Sequence, residues 1–471
     1  MKQILLSIVL LATTATQASD LLLKLASPVS AQLLSEKMTM QGLQSEVVTD
    51  NWIRVQANSE SANFKRFVES GNVLYVQKNF KFKIYENPSL VKLRNSQAVK
   101  NYLQTHPQPF DHVPIVDNPA IPDAPVAAPG ADPLLQKQWG MIDMGLEAAL
   151  KINRGQKIIV AVIDTGVDYT HEDLVGNMWR NPKEIPDNQI DDDKNGFIDD
   201  VIGWDFLSND NKPYDLATTN VGELLRGGNP GHVTHCAGNI AAVGNNGIGI
   251  SGVAPNAQIM ALRFIGNEGG TTANAVKAVK YAVDNGAQVL SNSWGSEGDD
   301  PSDAAGNLAL KEIVKYAQDK GVLFIAAAGN GHQGAGYDND TDPKPGVPAS
   351  YNYENIISVA AVDSTDHLGG FSNWGAKTVH IAAPGVKVFS TTVGNHYSDV
   401  VVDILGANWD GTSMACPHVA GAAALYWSAH PEKNWREVKA AILNSVKPIP
   451  AVQGKVVSNG KLNVESLMKY K

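Results

Sequence analysis

The sequence predicts an α/β fold: a mostly parallel β-sheet with helices on both faces, preceded by a small α+β unit. Three observations carry this. From about residue 138 onward, short apolar β-type runs alternate with helical patterns, which is how strand–helix–strand units read in sequence. Glycine is abundant, 42 of 471 residues, and charged residues make up only 18%, which suits a compact α/β body with many tight turns. Eight prolines between residues 107 and 133 separate that body from an N-terminal part with apolar clusters of its own, and such a stretch is extended and exposed.

Taken in order, residues 1–18 read as a signal peptide, with a charged start at Lys2, an apolar stretch over 4–12 and small residues at 16–18. The apolar stretch is too short for a membrane span, which needs about 20 residues. The mature protein is therefore expected to be exported, with no membrane attachment once the signal is removed. Residues 19–105 form the first unit, with apolar clusters at 52–55 and 73–80, a helix expected over 62–69 and a strand over 71–76. Residues 106–131 are the linker and the expected processing site. In the main body, 132–471, strands are expected at 158–163, 258–264, 288–293, 322–328 and 356–362, and helices at 273–283, 307–318, 412–429 and 435–445. Val276, Val279, Ala282 and Val283 recur at helical spacing, so they mark a core face and not a cofactor site.

The net charge of −10, with no basic patch, argues against a nucleic-acid partner and suits an exported protein that binds cations. Only two cysteines occur, Cys236 and Cys416, too few for a disulfide framework. They read as free buried thiols, although export leaves a disulfide between them open.

The chemistry concentrates in three segments. Gly411-Thr-Ser-Met-Ala-Cys-Pro-His-Val-Ala-Gly421 sets Ser413 at the entry to a long Ala-rich helix. A serine hydroxyl is a poor nucleophile unless a base takes its proton. His232, in Gly231-His-Val-Thr-His-Cys-Ala-Gly238, starts another small-residue helix, and Asp164 ends the apolar run of Val160-Ala-Val-Ile-Asp-Thr-Gly166. Ligand sites in open α/β sheets lie at the carboxyl ends of strands. His232 would take the Ser413 proton and return it to the leaving amine, while Asp164 would orient the imidazole.

The order Asp, His, Ser and the three local motifs resemble the subtilisin-like serine proteases (subtilases), over roughly residues 130–450. The resemblance implies a subtilisin-like three-layer fold, with 19–105 as a propeptide that assists folding and inhibits until cleaved. It also implies a serine endopeptidase made as a self-processing precursor. Asn330, in Phe324-Ile-Ala-Ala-Ala-Gly-Asn330, matches the oxyanion donor, with the Ser413 backbone N–H as the second donor. Ser293, Trp294 and Gly295 match the strand that pairs with extended substrate. Ala327, Ala328, Gly329 and Gly346 would line the first pocket. These small walls favour a large apolar or aromatic side chain before the cut, while the acidic run at 338–342 offers the alternative of basic substrates. One departure stands out: the family has glycine after the catalytic histidine, and this chain has Val233. Overpacking there typically costs about 1–3 kcal/mol, which sets up the competing reading of a subtilase fold that has lost catalysis and binds peptides or acts as a scaffold.

Asp191, Asp193, Asn195, the Phe197 carbonyl, Asp199 and Asp200 place oxygens at alternating positions around Gly196, like the first part of an EF-hand calcium loop. The glutamate that would close such a loop is missing, since Ile202 stands there. A second calcium site is implied by resemblance to thermitase-like subtilases: Asp132, Asp173 and Asn246, with the carbonyls of Gly244, Ile248 and Ile250. The expected partners are polypeptide substrates, the chain's own propeptide and calcium, on a monomer secreted to the periplasm or the exterior.

Overall fold

The structure, a computed structural model, describes residues 18–26, 29–105, 119–122, 130–218, 220–296, 306–403 and 406–471. All but the last residue of the expected signal peptide, and most of the expected linker, lie outside the described residues.

The N-terminal unit is an antiparallel sheet of β1 (Ser19–Leu25), β2 (Gln44–Thr49), β3 (Trp52–Ala57) and β4 (Val73–Lys78), in the order β2-β3-β1-β4. Alternation along β1 sends Leu21, Leu23 and Leu25 to one face and Leu22 to the other. Helices Ala31–Met40 and Ala62–Glu69 cover the first face, each started by a serine, Ser30 or Ser61, whose side chain accepts from the helix. The second face lies on two helices of the main body, Thr272–Asp284 and Leu308–Asp319. There Trp52 Nε1 donates to Glu312 Oε2 at 2.9 Å. Gln77 Oε1 accepts from Ala309 N and Asn79 Oδ1 from Ala273 N, at 3.0 and 2.9 Å. The unit thus supplies acceptors that the open N-termini of both helices need. The chain continues as β5 (Lys81–Ile84) and the helices Pro88–Arg94 and Gln97–Thr105.

The main body is built on β6 (Ile159–Asp164), β7 (Gly203–Asp205), β8 (Gln258–Arg263), β10 (Val289–Asn292), β12 (Leu323–Ala327), β13 (Ile356–Val362) and β14 (Ile381–Pro384), with β9 (Gly270–Thr271) and β11 (Trp294–Gly295) standing outside its sheet. Hairpins β15 (Ser390–Thr392)/β16 (His396–Ser398) and β17 (Val400–Val402)/β18 (Ala407–Asn408) follow, and β19 (Lys447–Pro448) and β20 (Gly460–Lys461) close one edge. The sheet order is β19-β20-β14-β13-β12-β10-β6-β8-β7, parallel throughout except for β19. Strands β10, β12, β13 and β14 are buried along their whole length, which is why they read as continuous apolar runs without alternation. Helices His232–Ala241, Thr412–Ala429 and Trp435–Asn444 pack on one face, and Thr272–Asp284 and Leu308–Asp319 on the other. This is the three-layer arrangement expected, and each expected strand and helix lies within a residue or two of an observed one.

Candidate active site

Asp164 is the last residue of β6, His232 the first of its helix, and Ser413 the second of the helix Thr412–Ala429. All three are at most 3% exposed. The His232 helix starts on Gly231, at φ +86°, a left-handed conformation that suits glycine. Asn229 Oδ1 caps it, accepting from Gly231 N and His232 N, both at 3.0 Å. Asn229 is held in turn by buried Asp215 at 2.6 Å, which also accepts from Thr234 N and Oγ1 and from Thr165 Oγ1. Asp215 therefore ties the residue after Asp164 to the helix that carries His232, a link no sequence motif announces.

His232 Nδ1 stands 3.4 Å from Asp164 Oδ1. His232 Nε2 has no hydrogen-bond partner among the described residues, while the Ser413 hydroxyl donates to the Ser293 carbonyl at 3.1 Å. Hydrogen bonds of this kind are often long or misaligned before substrate binds. Val233 is fully buried in the main core, and the helix runs unbroken through it.

Asn330 Oδ1 accepts from Thr412 N and Thr412 Oγ1, both at 2.9 Å. That fixes the amide and aims its Nδ2 at the carbonyl of Glu86, 3.0 Å away. Glu86 belongs to a segment that sequence reasoning did not single out. β5 lies between β9 and β11, antiparallel to both, with Phe82 opposite Gly270 and Ile84 opposite Trp294. Phe82 packs edge-on against Trp294 at 5.2 Å. The Tyr85 hydroxyl lies so close to Gly295 that a Cβ there would sit 2.0 Å from it, and one on Gly346 would sit 3.4 Å from it. Asn339 bridges the pocket wall, donating to the Ala328 carbonyl and accepting from Gly346 N. In the acidic run around it, Asp340 accepts from Thr378 and Lys377 N, and Asp342 from Lys344 N.

In the acidic loop, Asp191 accepts from Asn195 N and Gly196 N, and Asp199 from Asn188 N and Gln189 N. Both carboxylates hold the loop's own backbone, as do Asp193, which accepts from Asn195 N, and Glu184, which accepts from Asp192 N, Asp193 N and Asp199 N. The carboxylates that face each other are Glu184, Asp193 and Asp200, with one oxygen of each within 4.8 Å of the others. Asn195 donates to Asp200 at 2.9 Å, and the Phe197 ring anchors the loop against Trp204 and Tyr281. Asp200, pushed up to about 6 by burial, also accepts from Asn181 and Tyr281; three converging carboxylates are the oxygen donors a hard cation takes. At the second position, Asn246 Nδ2 donates to Asp173 at 2.7 Å and Asn246 N to Asp132 at 3.2 Å. Burial pushes Asp173 up to about 7, and Ile250 N donates to it at 2.9 Å. The Gly244 carbonyl expected here accepts from the Arg154 guanidinium at 3.1 Å.

Neither nearby histidine reaches the cleft. His235 Nε2 meets the Val388 carbonyl at 3.0 Å and the ring stacks on Trp409, while His418 Nδ1 meets the Met414 carbonyl at 2.8 Å. Burial pushes them down to about 3 and about 4, which keeps both neutral. Cys236 and Cys416 are free and buried.

Comparison with known proteins agrees with this geometry. The model of the Subtilase family, Peptidase_S8, matches residues 155–464. Thermitase from Thermoactinomyces vulgaris is 35% identical over 335 residues, covering 71% of this chain and 96% of thermitase. A thermophilic serine proteinase from Bacillus sp. (strain AK1) is 37% identical over 321 residues, covering 68% of this chain and 63% of that protein. Fervidolysin from Fervidobacterium pennivorans, described as related to subtilisin, superposes with a TM-score of 0.65 at 22% identity, covering 98% of this chain and 62% of that one, and so bears on the fold alone. The chain belongs to the subtilase family, and it is a subtilisin-like serine endopeptidase.

Proposed function

We propose that this endopeptidase is made as an exported precursor that cuts itself, that Asp164, His232 and Ser413 carry the reaction, and that calcium stabilises it. The observation that carries the reading is the chain's own segment 82–86. It lies in the cleft as an extended strand, with Glu86 on the Asn330 amide and Tyr85 against Gly295 and Gly346. In the reaction the Ser413 hydroxyl turns from the Ser293 carbonyl to His232 Nε2. His232 takes the proton as Oγ attacks the carbonyl carbon, then delivers it to the leaving amine. Asp164 holds the imidazole and stabilises its cationic form. Asn330 Nδ2 and the Ser413 N–H receive the charge that develops on the carbonyl oxygen.

The segment also supports a substrate class. Residues before the cut bind by backbone pairing, which selects little by sequence, and the side chains seated in this cleft are aromatic: Tyr85 directly before the cut and Phe82 three residues earlier. The first self-cleavage is assigned to the Tyr85–Glu86 bond, upstream of the proline-rich linker; in the uncut chain the Asn330 amide rests on the Glu86 carbonyl, one residue past that bond, and shifts to the Tyr85 carbonyl for the cut. Glu184, Asp193 and Asp200 would hold one calcium, and Asp132, Asp173 and Asn246 another. Bound there, calcium neutralises buried carboxylates and favours the folded state by mass action. No helix among the described residues is long and apolar enough to cross a membrane. The competing non-catalytic reading rests on Val233 alone. An intact histidine helix, with His232 beside Asp164, favours catalysis.

The test is the mass of the protein purified with calcium beside Ser413→Ala. Loss of the first 85 or so residues from the wild type only supports this reading. Two full-length products, with no peptide hydrolysis by the wild type, would sink it.

A further inference from the structure

The cleft is occupied on both sides of the proposed cut. After Glu86 the chain stays on the main body. Asn87 Nδ2 donates to the carbonyls of Asn408 and Asp410, at 2.9 and 3.3 Å. Asn87 Oδ1 accepts from Ser89 N and Leu90 N, at 3.0 and 3.2 Å, capping the helix Pro88–Arg94, which has proline at its first turn. Ser89 Oγ donates to Asp410 Oδ2 at 2.5 Å. Leu90 is buried in an apolar cluster with Leu224, Val402 and Ala407, and Arg94 closes back on both carboxylate oxygens of Glu86. The receiving surface comes from the short helix Val221–Leu225, just upstream of His232, and from β17 and β18, just upstream of Ser413. Further on, the Pro119 carbonyl accepts from Tyr169 Oη at 2.8 Å and the Pro122 carbonyl from the Arg180 guanidinium. The downstream chain is therefore tied to the main body at two more points.

We propose that this surface is a binding site on the leaving-group side of the cleft. Its occupant is a polypeptide segment that begins a capped helix and inserts a leucine, here the chain's own residues 86–105. The proposal rests on the reading that the enzyme cuts itself at Tyr85–Glu86. Hydrolysis breaks that C–N bond, placing the water oxygen on a Tyr85 carboxylate and leaving an ammonium on Glu86. It releases the N-terminal unit from the helical segment but leaves that segment joined to the catalytic body. A tethered ligand rebinds at an effective concentration near millimolar when the linker spans the sites, so even a weak contact keeps the cleft shut. Full activity then needs a second cut beyond residue 105, in the stretch the sequence marks for processing.

Leu90→Asp puts a charge into the apolar cluster, and Ser89→Ala removes only the bond to Asp410. Both are compared with the wild type, using a peptide substrate that extends several residues beyond the cut. Enzyme isolated with Glu86 as its N-terminus is expected to be at least tenfold more active as Leu90→Asp, with a smaller gain for Ser89→Ala. A synthetic peptide of residues 86–105 should inhibit the fully processed enzyme, and its Leu90→Asp version should not. In the full-length Ser413→Ala chain, which needs no activity, Leu90→Asp should speed amide exchange at 221–225 and in β17 and β18. Equal activities, no inhibition and unchanged exchange would overturn the site while leaving the protease reading intact. Absence of any peptide hydrolysis would strike the protease reading, and the exchange measurement would still decide the site.

Discussion

Ser293 and Ser413 are joined by two reciprocal hydrogen bonds: the Ser413 hydroxyl donates to the Ser293 carbonyl at 3.1 Å, and the Ser293 hydroxyl donates to the Ser413 carbonyl at 3.0 Å. The second bond has a cause in the sequence. Pro417 lies four residues after Ser413, inside the helix, and has no N–H to offer that carbonyl. Ser293 takes the missing donor's place, together with the weaker Cys236 thiol, which donates to the same carbonyl at 3.3 Å. Ser293 thus fixes the backbone of Ser413, the proposed nucleophile, and provides the resting place for its hydroxyl.

Ser293→Ala should therefore leave a buried carbonyl under-satisfied and cost about 1–3 kcal/mol of stability. It should lower kcat more than it raises KM, because the backbone that aims the nucleophile loosens. Denaturant unfolding in a Ser413→Ala background, free of autolysis, measures the first effect. Stability unchanged within error would mean the carbonyl finds another donor.

Asn330 is held by two bonds from Thr412, which leave its amide group aimed into the cleft. Asn330→Ala is expected to lower kcat about 10²–10³-fold with little change in KM, a size known from removal of one such donor in subtilisin itself. A loss confined to KM would reassign Asn330 to ground-state binding.

Removing calcium should lower the melting temperature of the Ser413→Ala protein, and Glu184→Gln should shrink that difference. Saturation at a hundred times the dissociation constant contributes about 2.7 kcal/mol, several degrees in a domain of this size. If Glu184→Gln responds to calcium as the parent does, the ion lies elsewhere.

Burial pushes the Cys416 thiol up to about 12, and the Cys236 thiol upward as well. Thiolate is the reactive form, so iodoacetamide at pH 8 should leave both untouched in the folded protein and alkylate both in denaturant. Mass spectrometry reads the count. Resistance in denaturant that disappears after reduction would instead reveal a disulfide.

The sheet, its helices and the three segments that meet in the cleft were legible because each is a local signal: buried apolar runs for β6, β12 and β13, and short motifs at a strand end and two helix starts. What escaped was set by partners distant in sequence. Lys81-Phe-Lys-Ile84 is too short and too charged to mark a strand, and it is one only because β9 and β11 flank it. Asn87 caps a helix of only seven residues, too short for a periodic pattern, and nothing local said where that helix would dock. Glu184 lies outside the ten-residue acidic run and reaches Asp193 and Asp200 only through the fold of the loop, which Asp191 and Asp199 stabilise by accepting backbone N–H groups.

Val233 is where the local rule and the fold disagree most plainly. Comparison with the family pattern suggests overpacking beside His232, yet the side chain is fully buried in the main core and the helix continues past it. A core that has grown around valine loses by its removal. Val233→Gly takes away buried methyl groups and puts glycine, which loses more backbone freedom on folding, into the first turn of the helix. Total destabilisation should reach about 2–4 kcal/mol once the cavity is included. Activity per folded molecule should stay the same or fall. The measurement is kcat/KM on a peptide, normalised by titration of active sites. A tenfold gain on Val233→Gly would show that valine had been holding His232 out of line, and the non-catalytic reading of the natural sequence would regain its force.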